Sequence, residues 1–396
     1  MAIDLSIGLS FEKNPVSAGK EALEQAFSKR FKIKPSLAIV FCSTDLSSPA
    51  LLKILGMSLG ERVPIIGSSS PVIISDQGIF KHGLLLMLIS LPEGTYCETA
   101  FSKDIALKSP FGAGAELGEK LLSSFINKKR HLGVMFSDRP FEEESSIIYG
   151  LQERMGKSFP ILGASIADTL NFSKTHLYYK QDLLNNSVTG MLWGGNFNFG
   201  IGIKHGWKPL GKPRFVTRSV NNKVFEIDGI SAAKIYEDYF AADISKLQKE
   251  LKFISVLYPM GIQLGEGKEY LLRNILAIEE NGSLTFQGNI PEGSQIHLMI
   301  GTKESLLSAT KSAVMEAKNN MENKIDFFLV FDSISRYILL RKEAHLELDI
   351  IKESAGKDIP VIGLYTCGEE APFGAIGYYG QTYFHNQTIT ILAASA

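Results

Sequence analysis

The sequence predicts an α/β protein made of repeated β-α-β-α-β-β units, with helices flanking mixed, largely parallel sheets. Short apolar runs alternate with amphipathic helical patterns along most of the chain. The same order of elements recurs about every hundred residues. In each pass one strand begins as Pro-apolar-apolar-Gly and runs into polar residues, at Pro64–Gly67, Pro160–Gly163 and Pro360–Gly363.

The first two passes predict the same succession of elements. The first has strands at Ile3–Ser10, Leu37–Cys42, the Pro64 strand and His82–Ser90, and helices at Pro15–Arg30 and Pro49–Leu59. The second has strands at Tyr96–Ser102, Leu132–Phe136, the Pro160 strand, Thr175–Tyr179 and Ser187–Trp193, and helices at Ala113–Phe125 and Glu142–Met155. Helical connections favour parallel strand pairs, whereas strands joined without a helix can pair as hairpins.

Between the second and third passes lies a segment of different character, predicted as an α+β insertion around residues 198–291. Asn281-Gly282 between two apolar runs predicts a hairpin. Ser231–Phe240 is typical of a helix, with Ser231 as its N-cap. The third pass then has strands at Gln295–Ile300, Phe327–Phe331, the Pro360 strand and Thr388–Ala393, and helices at Lys303–Lys318 and Leu346–Ser354.

Composition excludes several classes of function. The 396 residues carry 41 basic and 42 acidic side chains, which gives no electrostatic case for nucleic acid or an anionic membrane. Three scattered cysteines favour neither a disulfide framework nor a zinc site. The sequence shows no signal peptide, and its apolar runs are much shorter than the ~20 residues that a membrane span needs. We therefore expect a cytoplasmic protein without a bound metal.

A nucleotide cofactor is not expected either. Gly112-Ala113-Gly114 resembles the start of a dinucleotide-binding fingerprint. The third glycine comes one place late, at Gly118, and no strand precedes the motif. We therefore predict no cofactor.

The polar residues that follow the strands of the third pass are the strongest candidates for a site. Parallel strands deliver their carboxyl ends to one edge of a sheet, where ligands bind in open α/β folds. This predicts a cup for a small zwitterion or organic acid, in which Arg336 grips a carboxylate and Glu369 takes an ammonium group. The alternative is that Arg336 and Glu369 pair with each other. The hydroxyl and thiol groups gathered there belong to Ser333, Tyr365, Thr366 and Cys367.

Cys367 also allows a catalytic hypothesis. A thiol in a polar loop can act as a nucleophile, with His385 as its base. Most lone cysteines are packing residues, however, and no acid that would orient the histidine is evident. We predict no catalytic residue.

Two sets of segments carry a resemblance to a known family. The N-terminal set is Leu37–Ser43, Pro64–Ser70, His82–Ile89 and Pro160–Ser165. The C-terminal set is Val224–Gly229, Ala232, Ala233, Tyr236, Tyr258–Gly261, Tyr270–Arg273, Pro291–Gly293, Phe331–Leu340 and Pro360–Glu369. Through these segments the sequence resembles the FIST family, a two-part sensory module of bacterial signalling proteins and some eukaryotic F-box proteins.

The resemblance implies a FIST N-like domain over residues 1–215, a FIST C-like domain over 216–396, and sensing of an amino acid or related metabolite. Carried over by position, the pocket residues would be Tyr258, Arg273, Arg336, Tyr365, Gly368, Glu369 and Asn386. Ser333 stands where family members often have a cysteine, and Glu370 replaces an apolar residue. Ser70-Pro71-Val72-Ile73 lacks a Gly-Glu pair, which favours a site in the C-terminal half.

We therefore expect a ligand sensor that signals through a protein partner, because no output domain remains once both parts are placed. Two alternatives stay open. One is an enzyme acting on a small polar metabolite through Cys367 or Glu369, and the other is a protein-interaction scaffold. The oligomeric state is left open.

Overall fold

Most of the described chain folds into three six-stranded sheets with the same strand order, and one larger sheet lies in a separate insertion. The structure is a computed structural model that describes residues 2–28, 34–138, 144–166, 176–265, 269–356, 358–375 and 378–396.

The elements follow one another in an order close to the predicted one. The first part of the chain contains β1 (Asp4–Ser10), α1 (Pro15–Ser28), β2 (Leu37–Ser43), α2 (Pro49–Leu59), β3 (Ile65–Ser70), β4 (Ile73–Ser75), β5 (Gly78–Phe80) and β6 (Leu84–Ser90). The second contains β7 (Thr95–Lys103), α3 (Ile105–Lys108), α4 (Pro110–Ser123), β8 (Arg130–Ser137), α5 (Glu144–Met155), β9 (Ile161–Ser165), β10 (Leu177–Tyr179), β11 (Asp182–Leu184) and β12 (Ser187–Gly195).

The remaining elements form the insertion and the third repeat. They begin with β13 (Asn198–Lys204), β14 (Lys208–Val220), β15 (Lys223–Ile227), β16 (Ile230–Ser231), α6 (Lys234–Phe240), α7 (Ile244–Lys249), α8 (Leu251–Leu257), β17 (Met260–Gln263), β18 (Tyr270–Arg273), β19 (Ile275–Ile278), β20 (Leu284–Phe286) and β21 (Gln295–Ile300). They end with α9 (Lys303–Asn319), β22 (Phe327–Ser333), α10 (Ile334–Leu340), a 3-10 turn (Arg341–Glu343), α11 (His345–Ala355), β23 (Val361–Thr366), β24 (Gly368–Ala375), β25 (Tyr378–His385) and β26 (Ile389–Ser395).

Each six-stranded sheet is built in the same way. Its two middle strands are parallel, as β2–β3, β8–β9 and β22–β23. On one side of this pair lie the last and then the first strand of the same repeat, and on the other side lies a two-stranded hairpin. The predicted mixed α/β architecture of repeated units is confirmed. Parallel pairing is less extensive than expected, because the hairpin and the last strand arrive without a helical crossover and pair antiparallel.

The hairpin of each sheet comes from another repeat. Hairpin β10–β11 of the second repeat extends the first sheet, and β24–β25 of the third repeat extends the second sheet. Hairpin β4–β5 of the first repeat extends the third sheet, which closes the cycle. The sequence repeat is therefore real in three dimensions, but no repeat completes its own sheet.

The three sheets enclose one shared core. Along β2 the side chains of Leu37, Ile39 and Phe41 face this core, while the alternate residues face the helices on the outside. The rings of Phe41 and Phe136 lie 5.9 Å apart, and those of Phe136 and Phe331 lie 5.6 Å apart. These phenylalanines occupy equivalent positions on β2, β8 and β22, so the repeats meet at a small aromatic cluster.

The insertion begins later than predicted. Strand β13 at residues 198–204 pairs with β26 and supplies the first strand of the third sheet. Strand β21 at residues 295–300, predicted for that role, pairs with β14 and β17 in the antiparallel sheet of the insertion. The insertion therefore sits within the third repeat, between β13 and α9.

Two local predictions in the insertion had different outcomes. The hairpin around Asn281-Gly282 is confirmed, because β19 and β20 pair antiparallel across it and Gly282 has a φ of 77°. Ser231 is not a helix cap: it lies in β16 and its hydroxyl donates to the carbonyl of Gly282, while α6 starts at Lys234. The ends predicted for two helices, at residues 29–30 and 142–143, lie outside the described residues.

The predicted boundary at residues 215–216 falls inside β14. No helix in the described ranges is long and apolar enough to cross a membrane.

Candidate functional site

Arg336 is the centre of a closed network of charges at the ends of β22 and β23. It lies in the first turn of α10, four residues after Asp332, and its side chain is 0% exposed. Its Nε lies 2.9 Å from Asp332 Oδ1, without the alignment of a hydrogen bond. Its Nη2 forms an ion pair with Glu347 on α11. Two carboxyl groups of the protein therefore lie against this cation.

The other donors of Arg336 are also engaged. Nη1 donates to the carbonyl of His205 at 2.6 Å, and Nη2 donates to the carbonyl of Leu306 at 3.1 Å and to Thr310 Oγ1 at 2.8 Å. Burial lowers the pKa of Arg336, but the charges of Glu347 and Asp332 outweigh it and hold the pKa above its ordinary value. All of these contacts of the Arg336 side chain are made with groups of the protein itself.

Glu369 belongs to the same region but does not pair with Arg336 in an ion pair. It is 0% exposed, and its carboxyl accepts hydrogen bonds from the hydroxyl of Thr366 and, at 3.1 Å, from the amide of Thr388. Burial raises the pKa of Glu369 to about 8, so this carboxyl is mostly protonated at neutral pH. The pKa of Asp332 is likewise raised well above its usual value, by burial and by the charge of Glu347.

The predicted convergence of Ser333, Arg336, Tyr365, Thr366 and Glu369 is therefore present, but the group is closed rather than an open cup. Each of these residues is at most 1% exposed. Tyr365 donates its hydroxyl to Glu347 at 3.3 Å. The alternative considered from the sequence, an ion pair between Arg336 and Glu369, is not found either. Arg336 pairs with Asp332 and Glu347 instead, because α10 and α11 bring those side chains to the guanidinium.

Cys367 and Gly368 form the bend from β23 into β24. The Cys367 amide donates to the carbonyl of Ser165 at 3.0 Å, and the thiol side chain is buried. A Cβ on Gly368 would lie 2.3 Å from the ring of Phe384, so this glycine allows close packing of β25.

The remaining predicted residues lie apart from the network. Asn386 is buried, and its Oδ1 accepts from the amide of Asn274 at 3.1 Å. Tyr258 packs against the rings of Tyr239 and Phe240 in the core of the insertion. Arg273 is buried at the end of β18 and lines a separate small cavity.

A cavity of about 460 Å³ lies directly beside the charge network. Thr388 and His205 connect the two: both line the cavity, while their backbone groups bond Glu369 and Arg336. The walls come from β13 and the loop after it, from α9, from the edge of β18 and from β24 and β25. The lining residues are Ile203, Lys204, His205, Gly206, Trp207, Lys208, Glu269, Tyr270, Ser305, Ser308, Ala309, Ser312, Glu316, Phe373, His385 and Thr388.

The chemistry of this cavity is mixed. Trp207 is 3% exposed, and its indole N–H has no hydrogen-bond partner among the described residues. Lys204 and Glu316 form an ion pair at 2.6 Å, while Lys208 and Glu269 are exposed charges of opposite sign. Aromatic walls with a few polar groups of both signs are typical of sites for small polar ligands.

The two histidines of the cavity are neutral at physiological pH. Burial lowers the pKa of His385 to about 3, and its Nε2 lies 3.0 Å from the carbonyl of Ala371, to which it donates. Burial and the charge of Arg336 lower the pKa of His205 to about 4, and its Nδ1 accepts from the amide of Trp207 at 3.0 Å. These histidines therefore offer neutral hydrogen-bonding groups rather than charges.

Sequence reasoning missed most of this cavity. Its residues come from segments more than a hundred positions apart in the sequence. The available signal was the run His205-Gly206-Trp207 directly after a strand, but nothing local indicated what would face it. In the part of the chain that is described, no three His, Cys, Asp or Glu side chains are grouped as metal ligands.

Comparison with models of known protein families shows matches over most of the chain. The model of the FIST N domain matches residues 36–230, and the model of the FIST C domain matches residues 232–372. An uncharacterized protein of Methanocaldococcus jannaschii is 24% identical over 367 residues, covering 86% of this chain and 68% of that protein.

Among solved structures, two cyanuric acid hydrolases are similar over almost their whole length. One has a TM-score of 0.40 and 7% identity, covering 99% of this chain and 100% of that one. The other, from A. caulinodans, has a TM-score of 0.37 and 8% identity, covering 99% of both chains. Likeness at this level carries no argument about activity.

Proposed function

Because the chain belongs to the FIST family, whose domains are small-ligand sensory domains, we propose that it senses an amino acid or a related small polar metabolite. The ligand binds in the 460 Å³ cavity beside the charge network. The observation that carries this proposal is a cavity of this size with an aromatic wall, Trp207, and charged side chains of both signs around it. Concave sites that combine aromatic walls with a few polar groups are typical binding sites for small polar ligands.

The walls of the cavity suggest how binding produces a signal. They belong to the insertion, to helix α9 of the third repeat, and to the exchanged hairpin β24–β25 of the second sheet. A ligand that contacts all of these favours the arrangement in which they are close together. A difference in affinity between two arrangements shifts their populations, and a partner protein reads that shift.

We propose binding rather than catalysis. The Cys367 thiol is buried at the bend into β24, and Glu369 is enclosed by hydrogen bonds to Thr366 and Thr388. Neither residue lines the 460 Å³ cavity, where a reactive group would need to meet a substrate.

A thermal-shift screen against amino acids and organic acids tests the proposal. A bound ligand raises the melting temperature because it stabilises only the folded state. Ser308→Trp fills the cavity from α9 and should abolish the shift. Trp207→Leu keeps an apolar side chain but removes the aromatic wall, and should weaken binding roughly tenfold.

Ser123→Trp is the matched control, because Ser123 is an exposed residue on α4, away from the cavity. It should leave every ligand shift unchanged. The proposal is wrong if no compound stabilises the protein, or if the shift survives in Ser308→Trp.

A further inference from the structure

Arg273 is a buried cation without a carboxylate partner among the described residues. Its side chain is 3% exposed. Nε donates to the carbonyl of Asn289 at 3.1 Å, and Nη1 donates to the carbonyls of Leu272 and Phe384, both at 2.9 Å. Within the described ranges no hydrogen bond engages Nη2. A buried guanidinium with one nitrogen unused and no counterion is costly, because a charge in the interior needs compensation.

The same protein shows the contrasting case. Arg336 is equally buried, but Asp332 and Glu347 pair with it. Burial lowers the pKa of Arg273 to about 10, whereas the two carboxylates hold the pKa of Arg336 above its ordinary value. What is missing at Arg273 is the anion.

Arg273 lines a cavity of about 240 Å³ between α5 of the second repeat, strands β17 and β18 of the insertion, and β25. Its walls are largely apolar and include Ile148, Ile262, Leu264, Leu271, Pro291 and Phe384. The lining residue Asn289 has a buried Oδ1 without a hydrogen bond in the described part of the chain. The cavity thus has one cationic end and a compact apolar body.

We propose that this cavity is a second ligand site, which binds a small monocarboxylate with a compact apolar body. The carboxylate accepts hydrogen bonds from Nη2 of Arg273 and supplies the missing negative charge. The apolar part fills the space lined by Ile262, Leu264 and Leu271. A second anion-binding group is not required, because three backbone carbonyls already hold the guanidinium in place.

This site lies next to the larger cavity but does not depend on it. Strand β25 serves both: Thr382, Tyr383 and Phe384 line the small cavity, while His385 lines the large one. The occupant would join α5 to the insertion, two elements far apart in the chain. Binding here goes beyond the proposed function, and either site can be occupied alone.

Titration of the purified full-length protein with sodium isovalerate, followed by calorimetry, tests the inference. Isovaleramide has nearly the same shape without the charge. Isovalerate should bind saturably, and isovaleramide should bind at least roughly tenfold more weakly, because it cannot supply the anion. Arg273→Met should weaken isovalerate binding by roughly tenfold to a hundredfold.

Leu264→Trp fills the cavity without touching the guanidinium, so it tests the site even if Arg273→Met fails to fold. It should abolish isovalerate binding. Arg214→Met, an exposed arginine paired with Asp228, is the matched control and should bind normally. Ser308→Trp, which blocks only the large cavity, should also bind normally, and this separates the two proposals.

Three outcomes would overturn the inference. Isovalerate shows no saturable binding, isovaleramide binds equally well, or Leu264→Trp retains full affinity.

Discussion

The region around Arg336 contains more buried carboxyl groups than positive charges that could pair with them. Asp332, Glu347 and Glu369 lie within this region, while Arg336 is its single paired cation among the described residues. One ion pair with Glu347 satisfies the charge of Arg336, so further negative charges are unfavourable in a site shielded from water. Burial raises the pKa values of both Asp332 and Glu369, and at Asp332 the charge of Glu347 adds to this effect.

At the residue scale, Glu369 should make stability depend on pH. Its pKa is about 8 in the folded protein, against the ordinary 4.5 of an exposed glutamate. The unfolded chain therefore loses its proton first, and stability from this group is complete below pH 4.5 and is lost as the pH rises to 8. Glu369→Gln stays neutral, so its stability relative to the wild type should rise over this window by about 2–5 kcal/mol.

Urea unfolding at a series of pH values measures this difference. Glu353→Gln, a change at an exposed glutamate on α11, is the control and should follow the wild type at every pH. A constant difference between Glu369→Gln and the wild type from pH 4.5 to 8 would contradict the assignment.

At the element scale, the Pro-apolar-apolar-Gly strands owe their glycine to close packing against a parallel neighbour. A Cβ on Gly67 would lie 1.9 Å from the carbonyl oxygen of Val40, and one on Gly363 would lie 2.1 Å from that of Val330. In the second repeat, Gly163 faces the side chains of Met135 and Glu370 at 2.6 Å. The repeated glycine is therefore a steric requirement of the parallel pair.

Gly363→Ala should destabilise the protein by about 1–3 kcal/mol or more, because backbone atoms on β22 cannot move aside as a side chain can. Chemical denaturation measures the change. Gly133→Ala, on the parallel strand β8, is the matched control: the nearest atom to its Cβ would be 3.6 Å away, an ordinary contact. If both substitutions lower the free energy of unfolding by the same amount, close packing does not explain the glycine at position 363.

At the scale of the whole molecule, the exchanged hairpins join the two halves of the chain. Hairpin β4–β5 pairs with β23 through residues 73–75, and β24 pairs with β9 through residues 163–165. Strand β13, in the first half, pairs along its length with β26 in the second. Two domains bounded at residues 215–216 would each leave sheet edges without their partners.

Fragments 1–215 and 216–396 should therefore fail to fold when expressed separately, giving insoluble or non-cooperatively melting protein. Co-expressed fragments should associate and be recovered together, because each then receives its missing strands. Solubility, co-purification and thermal melting measure these outcomes. A single fragment that melts cooperatively would show that the halves are independent domains.

The sequence determined the elements and their order. Apolar periodicity, proline at helix starts and glycine after the short strands are local signals, and they were sufficient for the three repeats and the Asn281-Gly282 hairpin. The same local signals predicted that Arg336, Thr366 and Glu369 lie at the carboxyl ends of neighbouring strands. Each of these follows from the few residues around it.

Only the tertiary structure decided which strands pair across repeats, which carboxylates meet Arg336, and where the cavities lie. A hairpin with a suitable apolar pattern fits the open edge of any of the three similar sheets, so its own residues do not specify the partner. The pairing of Arg336 with Glu347 depends on where α11 packs, and the cavity at Trp207 on segments distant in sequence. Long-range packing selects among arrangements that are locally equivalent, and it converted the expected open cup into a closed network beside a cavity.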